Sequence, residues 1–97
     1  MKKSMLNILA CPIDKHYPLE LFEFTSARID EYNEKEEIID MGLLYCIKCT
    51  RFYPIIEQIP VMLPDELRDR EKDLEFLQRW RGDIPTNILH NAMPWHL

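Results

Sequence analysis

Glycine is nearly absent from this chain: Gly42 and Gly82 are the only two in 97 residues. Loops that cradle a nucleotide-like cofactor need several glycines close together, so the chain cannot itself hold S-adenosylmethionine in the usual glycine-dependent way. Long apolar runs are missing too. None approaches the roughly 18 residues that a membrane helix needs, and no signal-peptide pattern is present. Basic charge is scarce, with 12 Lys and Arg against 17 Asp and Glu and a net charge of -5. That balance argues against a protein whose main task is gripping a phosphate backbone. No Ser-His-acid or paired-carboxylate arrangement has an interpretable spacing, and His90 and His96 sit in the tail, so no residues carry an enzyme reading. The three cysteines are an odd number with knuckle spacing. They point to a reducing compartment, the cytoplasm, rather than to a disulfide framework. What remains is a globular composition, 46% hydrophobic, in a chain that supports one small domain of thin intrinsic stability. A metal, a second subunit or a helix over a sheet would each help such a domain.

The stretch from Leu43 to Leu63 organises the chain. Cys46 and Cys49 form a Cys-x-x-Cys knuckle, followed by an apolar run, Phe52 to Ile56. The polar pair Glu57-Gln58 then interrupts, and Ile59-Pro60-Val61-Met62-Leu63 follows. Two short β-type runs around a tight polar turn read as a hairpin. A knuckle at the mouth of a hairpin is how zinc ribbons present two thiolates to one ion. The second pair of ligands falls to Cys11 and, at the matching fourth position, Asp14. Thiolate and carboxylate are both competent zinc ligands, with His16 a substitute fourth. A zinc here would be structural, since a catalytic ion needs an open position and a nearby base. Without metal, the cysteines serve as small buried hydrophobes. A redox role fails because the motif lies between two strand candidates, not at a helix start within a βαβ unit.

Around this stretch, Ser4 caps a brief helix through Ala10, with Met5, Ile8 and Leu9 on one face, ended by Cys11-Pro12. Leu19 to Phe24 reads as a half-buried strand, and Glu36 to Cys46 as a second in which Gly42 marks a bulge or a close backbone approach. The charged run 25–40 lacks a clear period and has room for a hairpin extension or a short helix. After the hairpin, Pro64-Asp65 opens a helix with Leu67, Leu74, Leu77 and Trp80 on one stripe, stopped by Gly82. The domain thus spans 1–82, and the tail 83–97 packs back, with a short helix around Thr86 to Ala92, or contacts a partner.

Leu9-Ala10-Cys11-Pro12, Gly42-Leu43-Leu44-Tyr45-Cys46, Phe52-Tyr53-Pro54-Ile55 and Ile59-Pro60-Val61-Met62-Leu63-Pro64 together resemble one family. It is that of the small methyltransferase-activating subunits, the tRNA methyltransferase activator "one-hundred-and-twelve" of eukaryotes and archaea, with short bacterial relatives. The resemblance covers about residues 5 to 67. It implies a non-catalytic subunit that binds and solubilises S-adenosylmethionine-dependent methyltransferases acting on tRNA, rRNA or a translation release factor. S-adenosylmethionine would then be bound by the partner only, and RNA met only through the complex. The family pattern at the first knuckle is Cys-Pro-x-Cys, from which Asp14 departs, and the family has zinc-bound and metal-free members.

The hairpin's apolar side chains exceed what so small a core can hide, because alternating strands point half of them outward. Pro60 cannot donate to a ladder, so its strand is read as an edge, a template for strand addition. Ile59, Pro60, Val61, Met62 and Leu63, with help from Ile8 and Leu9, form the expected partner surface. The same edge allows a homodimer when the partner is absent. The rival is a zinc-ribbon nucleic-acid binder using Lys15, His16, Lys48 and Arg51, with Tyr17 and Phe52 as stacking surfaces. The expected architecture is α+β and zinc-ribbon-like: a short N-terminal helix, a small antiparallel sheet of about four strands, and a C-terminal helix across it.

Overall fold

Leu43-Leu44 and Phe52-Tyr53 are adjacent apolar pairs, and side chains on a strand alternate between faces, so these strands need cover on both sides. The structure, a computed structural model, describes residues 1–31 and 34–97, with side chains described outside 27–36. It shows that cover. Strands β1 (Glu20–Glu31), β2 (Glu34–Tyr45), β3 (Phe52–Ile56) and β4 (Ile59–Pro60) form one antiparallel sheet in the order β1-β2-β3-β4. On one face, Leu44, Cys46, Tyr53 and Ile55 join Met1, Cys11, Leu19 and Ile39 in a buried cluster. On the other, Leu43 and Phe52 pack with Phe76, Leu77, Ile84, Ile88, Leu89 and Ala92. The expected α+β, zinc-ribbon-like sheet is therefore present, with both layers of cover.

The charged run 25–40 continues the β1–β2 hairpin, pairing from Glu20 with Tyr45 to Glu31 with Glu34. Its tip, Tyr32 and Asn33, lies outside the described residues. Glu57 and Gln58 both take positive φ, 48° and 70°, as a tight two-residue hairpin turn demands. Gly42 pairs with Glu23, next to an irregularity between Glu23 and Thr25 that leaves Phe24 as the extra residue. A Cβ on Gly42 would stand 2.7 Å from the Phe22 carbonyl oxygen and 3.1 Å from Ile39 Cγ2. Both sequence readings of this glycine, bulge and close approach, thus apply at one place.

Two helix expectations need correction. The N-terminal segment is a 3-10 run, Lys3–Asn7, rather than a helix through Ala10. Met5, Leu6 and Leu9 pack on the first cluster, but Ile8 follows the last turn and is 78% exposed. At the other end, the helix expected from Pro64 to Gly82 is split into a 3-10 turn, Asp65–Leu67, and α1, Arg70–Arg79. The break lies at Arg68 and Asp69. Arg68 is extended and only 2% exposed at its side chain, and its Nε pairs with Asp73 Oδ2 at 3.0 Å. Its Nη2 donates to the Phe52 carbonyl, and its guanidinium stacks on the Phe52 ring at 4.6 Å. Asp69 then caps α1, accepting the Lys72 N–H at 3.2 Å. An inward arginine takes the place that a continuous helix would give to an apolar stripe, which leaves Leu67 65% exposed. Leu77 and Phe76 are buried, with Leu74 and Trp80 packed beside them.

Beyond α1, the tail forms α2 (Thr86–Asn91), which contributes Ile88 and Leu89 to the second cluster. Trp95 Nε1 donates to Asp73 Oδ2 at 3.1 Å, tying the last residues to the Arg68 pair. Phe24, the extra residue of the β1 irregularity, stacks on Trp80 at 4.9 Å between centroids.

Because the neighbour at 2.7 Å is backbone, Gly42→Ala is expected to lower stability by about 1–3 kcal/mol, as overpacking does. Urea unfolding would show this as a lower midpoint with an unchanged slope; a midpoint equal to the parent's would mean that the strands part at no cost.

Candidate functional site

The two Cys-x-x-x turns are built alike. In the first, the Lys15 N–H donates to the Cys11 carbonyl at 2.8 Å and the Cys11 N–H to the His16 carbonyl at 2.9 Å. In the second, the Thr50 N–H donates to the Cys46 carbonyl at 2.8 Å and the Cys46 N–H to the Arg51 carbonyl at 2.9 Å. Each turn closes with a left-handed residue, Lys15 at φ 62° and Thr50 at φ 63°. This shared geometry puts Asp14 in the first turn where Cys49 stands in the second.

The sheet brings the turns face to face. Cys11 Sγ lies 3.6 Å from Cys49 Sγ, and Cys46 Sγ lies 3.6 Å from each Asp14 oxygen. Ligand atoms of all four residues fall within 4.8 Å of one another. Around a tetrahedral zinc, with Zn–S near 2.3 Å and Zn–O near 2.0 Å, neighbouring donors stand about 3.5 to 3.8 Å apart. The four groups fit that ion. His16 is outside the converging set; its backbone N–H instead donates to Asp14 Oδ1 at 2.9 Å. That bond holds the Asp14 carboxyl below its usual range and aims it at the thiols.

Cys11 and Cys46 are buried, whereas Asp14 and Cys49 are half-buried. Burial pushes the Cys46 thiol up to about 12, so at neutral pH it ionises only against a cation. Cys11 Sγ also lies 3.1 Å from the Tyr53 hydroxyl, and burial together with that bond raises the phenol above its ordinary value. Four protein donors close a tetrahedron and leave no position for substrate. Such a centre would hold the two turns together.

The basic residues beside the knuckles are less free than their spacing suggests. Arg51 is bidentate to Asp65, Nε to Oδ1 at 2.9 Å and Nη2 to Oδ2 at 2.7 Å. Phe52 is fully buried and cannot stack on a base. Lys15, Lys48 and Tyr17 are exposed.

Of the residues expected to meet a partner, Ile59 and Leu63 are exposed, at 64% and 37%, as is Ile8. Pro60, Val61, Met62 and Leu9 are half-buried. Pro60 lies in β4, an edge of the sheet. Met62 and Leu9 both pack on the first cluster, whereas Val61 and Leu63 line a cleft shared with Ile56 and Leu67. Ile56 and Leu67, 39% and 65% exposed, extend the same apolar surface. Sequence reasoning assigned Leu67 to the core, because its spacing continued the helical stripe. No helix among the described residues is long and apolar enough to cross a membrane.

A family model described as Trm112p-like protein matches residues 2–57. That span contains all four groups of the metal centre and β1 to β3, and it ends before Ile59. No curated protein and no solved structure matches the chain.

Metal uptake is expected to saturate at one zinc per chain and to weaken as pH falls, since protons compete with the metal for its ligands. Mass spectrometry of the intact protein and a cobalt titration would read both the stoichiometry and the thiolate absorption. Cys46→Ala should lose them. Failure of the parent chain to take up cobalt or zinc at any pH would remove the metal from this centre.

Proposed function

The chain belongs to the Trm112p-like family, and from that premise we propose that it is a non-catalytic subunit that binds and activates S-adenosylmethionine-dependent methyltransferases. Membership supports a methyltransferase-activating role in general. The finer reading is a cytoplasmic heterodimer in which the partner alone holds S-adenosylmethionine and acts on tRNA, rRNA or a release factor. In this reading zinc is structural: Cys11, Asp14, Cys46 and Cys49 fix the two turns, and RNA is met only through the complex.

The observation that carries it is the exposed apolar edge. Ile56, Ile59, Leu63 and Leu67 face solvent beside a strand, β4, that has a neighbour on one side only. An edge of this kind supplies backbone pairing, and its flanking side chains supply contact area and selectivity. Ile59 to Leu63 would meet the partner, with Ile8 and Leu9 contributing at the other side. The same edge supports self-association when the partner is absent. The nucleic-acid reading has less behind it, because Arg51 is paired with Asp65 and Phe52 is buried.

A tagged pull-down from the native host, read by mass spectrometry, is expected to recover one or more methyltransferases of the Rossmann type. Ile59→Lys, at an exposed position that leaves the core intact, should reduce that recovery at least tenfold while far-ultraviolet circular dichroism stays unchanged. Recovery of RNA or transcription machinery without a methyltransferase would overturn the proposal in favour of a nucleic-acid ribbon.

A further inference from the structure

Tyr53 is fully buried in β3. Strand alternation turns it to the face that carries Cys11 and Cys46, while Phe52, one residue earlier, fills the other face. A phenylalanine would supply the same ring, so the hydroxyl is the part that needs a reason. A buried polar group is costly unless it is hydrogen-bonded, and among the described residues the partner of this one is the Cys11 sulfur, at 3.1 Å. Cys11 is itself buried, and its sulfur lies 3.6 Å from that of Cys49 in the four-residue cluster. A neutral thiol is a weak acceptor, whereas an ionised acceptor makes a bond about twice as strong. Cysteine binds a metal ion as the thiolate. The Tyr53 hydroxyl is therefore poorly satisfied by a thiol and well satisfied by the thiolate that an ion at this centre would create.

We propose that Tyr53 is a positioning residue of the metal centre, whose hydroxyl donates to the Cys11 sulfur, orients it toward the ion and strengthens the hold on metal. The proposal rests on the zinc reading of Cys11, Asp14, Cys46 and Cys49, and adds to it a residue outside both turns. Donors of this outer kind fix a ligand's orientation, and losing one commonly lowers metal affinity by about 10- to 100-fold. Asp14 has such a donor in the His16 backbone N–H, 2.9 Å from its Oδ1. At Cys11 the donor is a side chain 42 residues along the chain, and unlike a backbone N–H it can be removed by substitution. The sheet fixes where it stands. Tyr53 pairs with Leu44, two residues before Cys46, so the strand pair that carries the second turn also places the hydroxyl against the first. The Arg68 guanidinium, 5.4 Å from the centroid of the Tyr53 ring, adds a further contact to the ring.

The test compares the full chain with Tyr53→Phe, which keeps the ring and deletes the donor. Zinc and cobalt are titrated against a chelator, and the absorption of the cobalt form is recorded. Tyr53→Phe is expected to bind both ions about tenfold more weakly at the same stoichiometry. Its thiolate-to-cobalt absorption should move to lower energy, because a sulfur that loses a hydrogen bond gives up charge more readily. Tyr45→Phe is the control. Tyr45 packs on the opposite cluster, and among the described residues its hydroxyl bonds no cysteine, so affinity and absorption should match the parent. Urea unfolding of the metal-free chains separates packing from positioning. Similar midpoints for Tyr53→Phe and the parent, with the affinity loss and the spectral shift, support the proposal. An unchanged affinity and spectrum in Tyr53→Phe would overturn it, as would an affinity loss that comes with an unshifted band and an equal loss of metal-free stability. If the parent takes up neither ion, the zinc reading fails first and the role of Tyr53 falls with it.

Discussion

Strands β2 and β3 have no solvent face where they pair, and the rest of the molecule follows from that constraint. Leu43, Leu44, Phe52, Tyr53 and Ile55 are all fully buried, in a chain of 97 residues. A chain of this length has little core to spare, so each face must be covered by an economical device. One face is closed by the two turns, with Cys11 and Cys46 as buried side chains whose thiols also belong to the metal-fitting cluster, and by Met1 and the N-terminal 3-10 run. The other is closed by α1, α2 and the tail. The edge strands of the sheet are β1 on one side and β4 on the other. Of the two, β4 is short and flanked by exposed isoleucine and leucine.

Arg68 decides how the second layer sits. An ion pair screened this fully from water is costly to form, and removing one partner leaves a buried charge, a loss of about 3–5 kcal/mol in comparable cases. Burial accordingly lowers the Arg68 pKa and raises that of Asp73. The return lies in what the pair joins. It links β3 through the Phe52 carbonyl, α1 through Asp73 and the tail through Trp95. A leucine at this position would continue the apolar stripe but could not bond the three segments to one another. The same inward turn breaks the helix and displaces Leu67 to the surface, so the exposed wall of the cleft is a consequence of the fold's central polar contact.

The readily legible features were those set by local chemistry. The Cys-x-x-Cys spacing, the apolar runs on either side of Glu57-Gln58 and the lone interior Gly42 each have a short-range cause, and the hairpin, the bulge and the four-stranded sheet follow from them. The groups at Cys11, Asp14, Cys46 and Cys49 converge because both turns repeat one backbone pattern. That equivalence is visible as spacing even where the residue type changes. Features that depend on distant partners were hidden. Nothing near Arg68 in sequence announces that its hydrogen-bond acceptor is the carbonyl of Phe52. Leu67 and Ile8 continue an apolar period past the point where the backbone stops being helical. Left-handed backbone at Lys15 and Thr50 was hidden as well, since the usual signal for it is glycine or asparagine.

The metal centre and the apolar edge lie at different ends of the same strand pair, and this bears on how they can cooperate. The centre clamps the turn that leads from β2 into β3, fixing the strands at Tyr45 and Phe52. The edge begins seven residues after Phe52, once β3 has run its length and reversed at Glu57-Gln58. That places the two devices in a definite order. The turns set the sheet, the sheet carries the hairpin, and the hairpin leads into Ile59 to Leu63. Were the four groups to hold zinc and β4 to dock a partner, as proposed, loss of the metal would loosen β3 and raise the entropic cost of that docking.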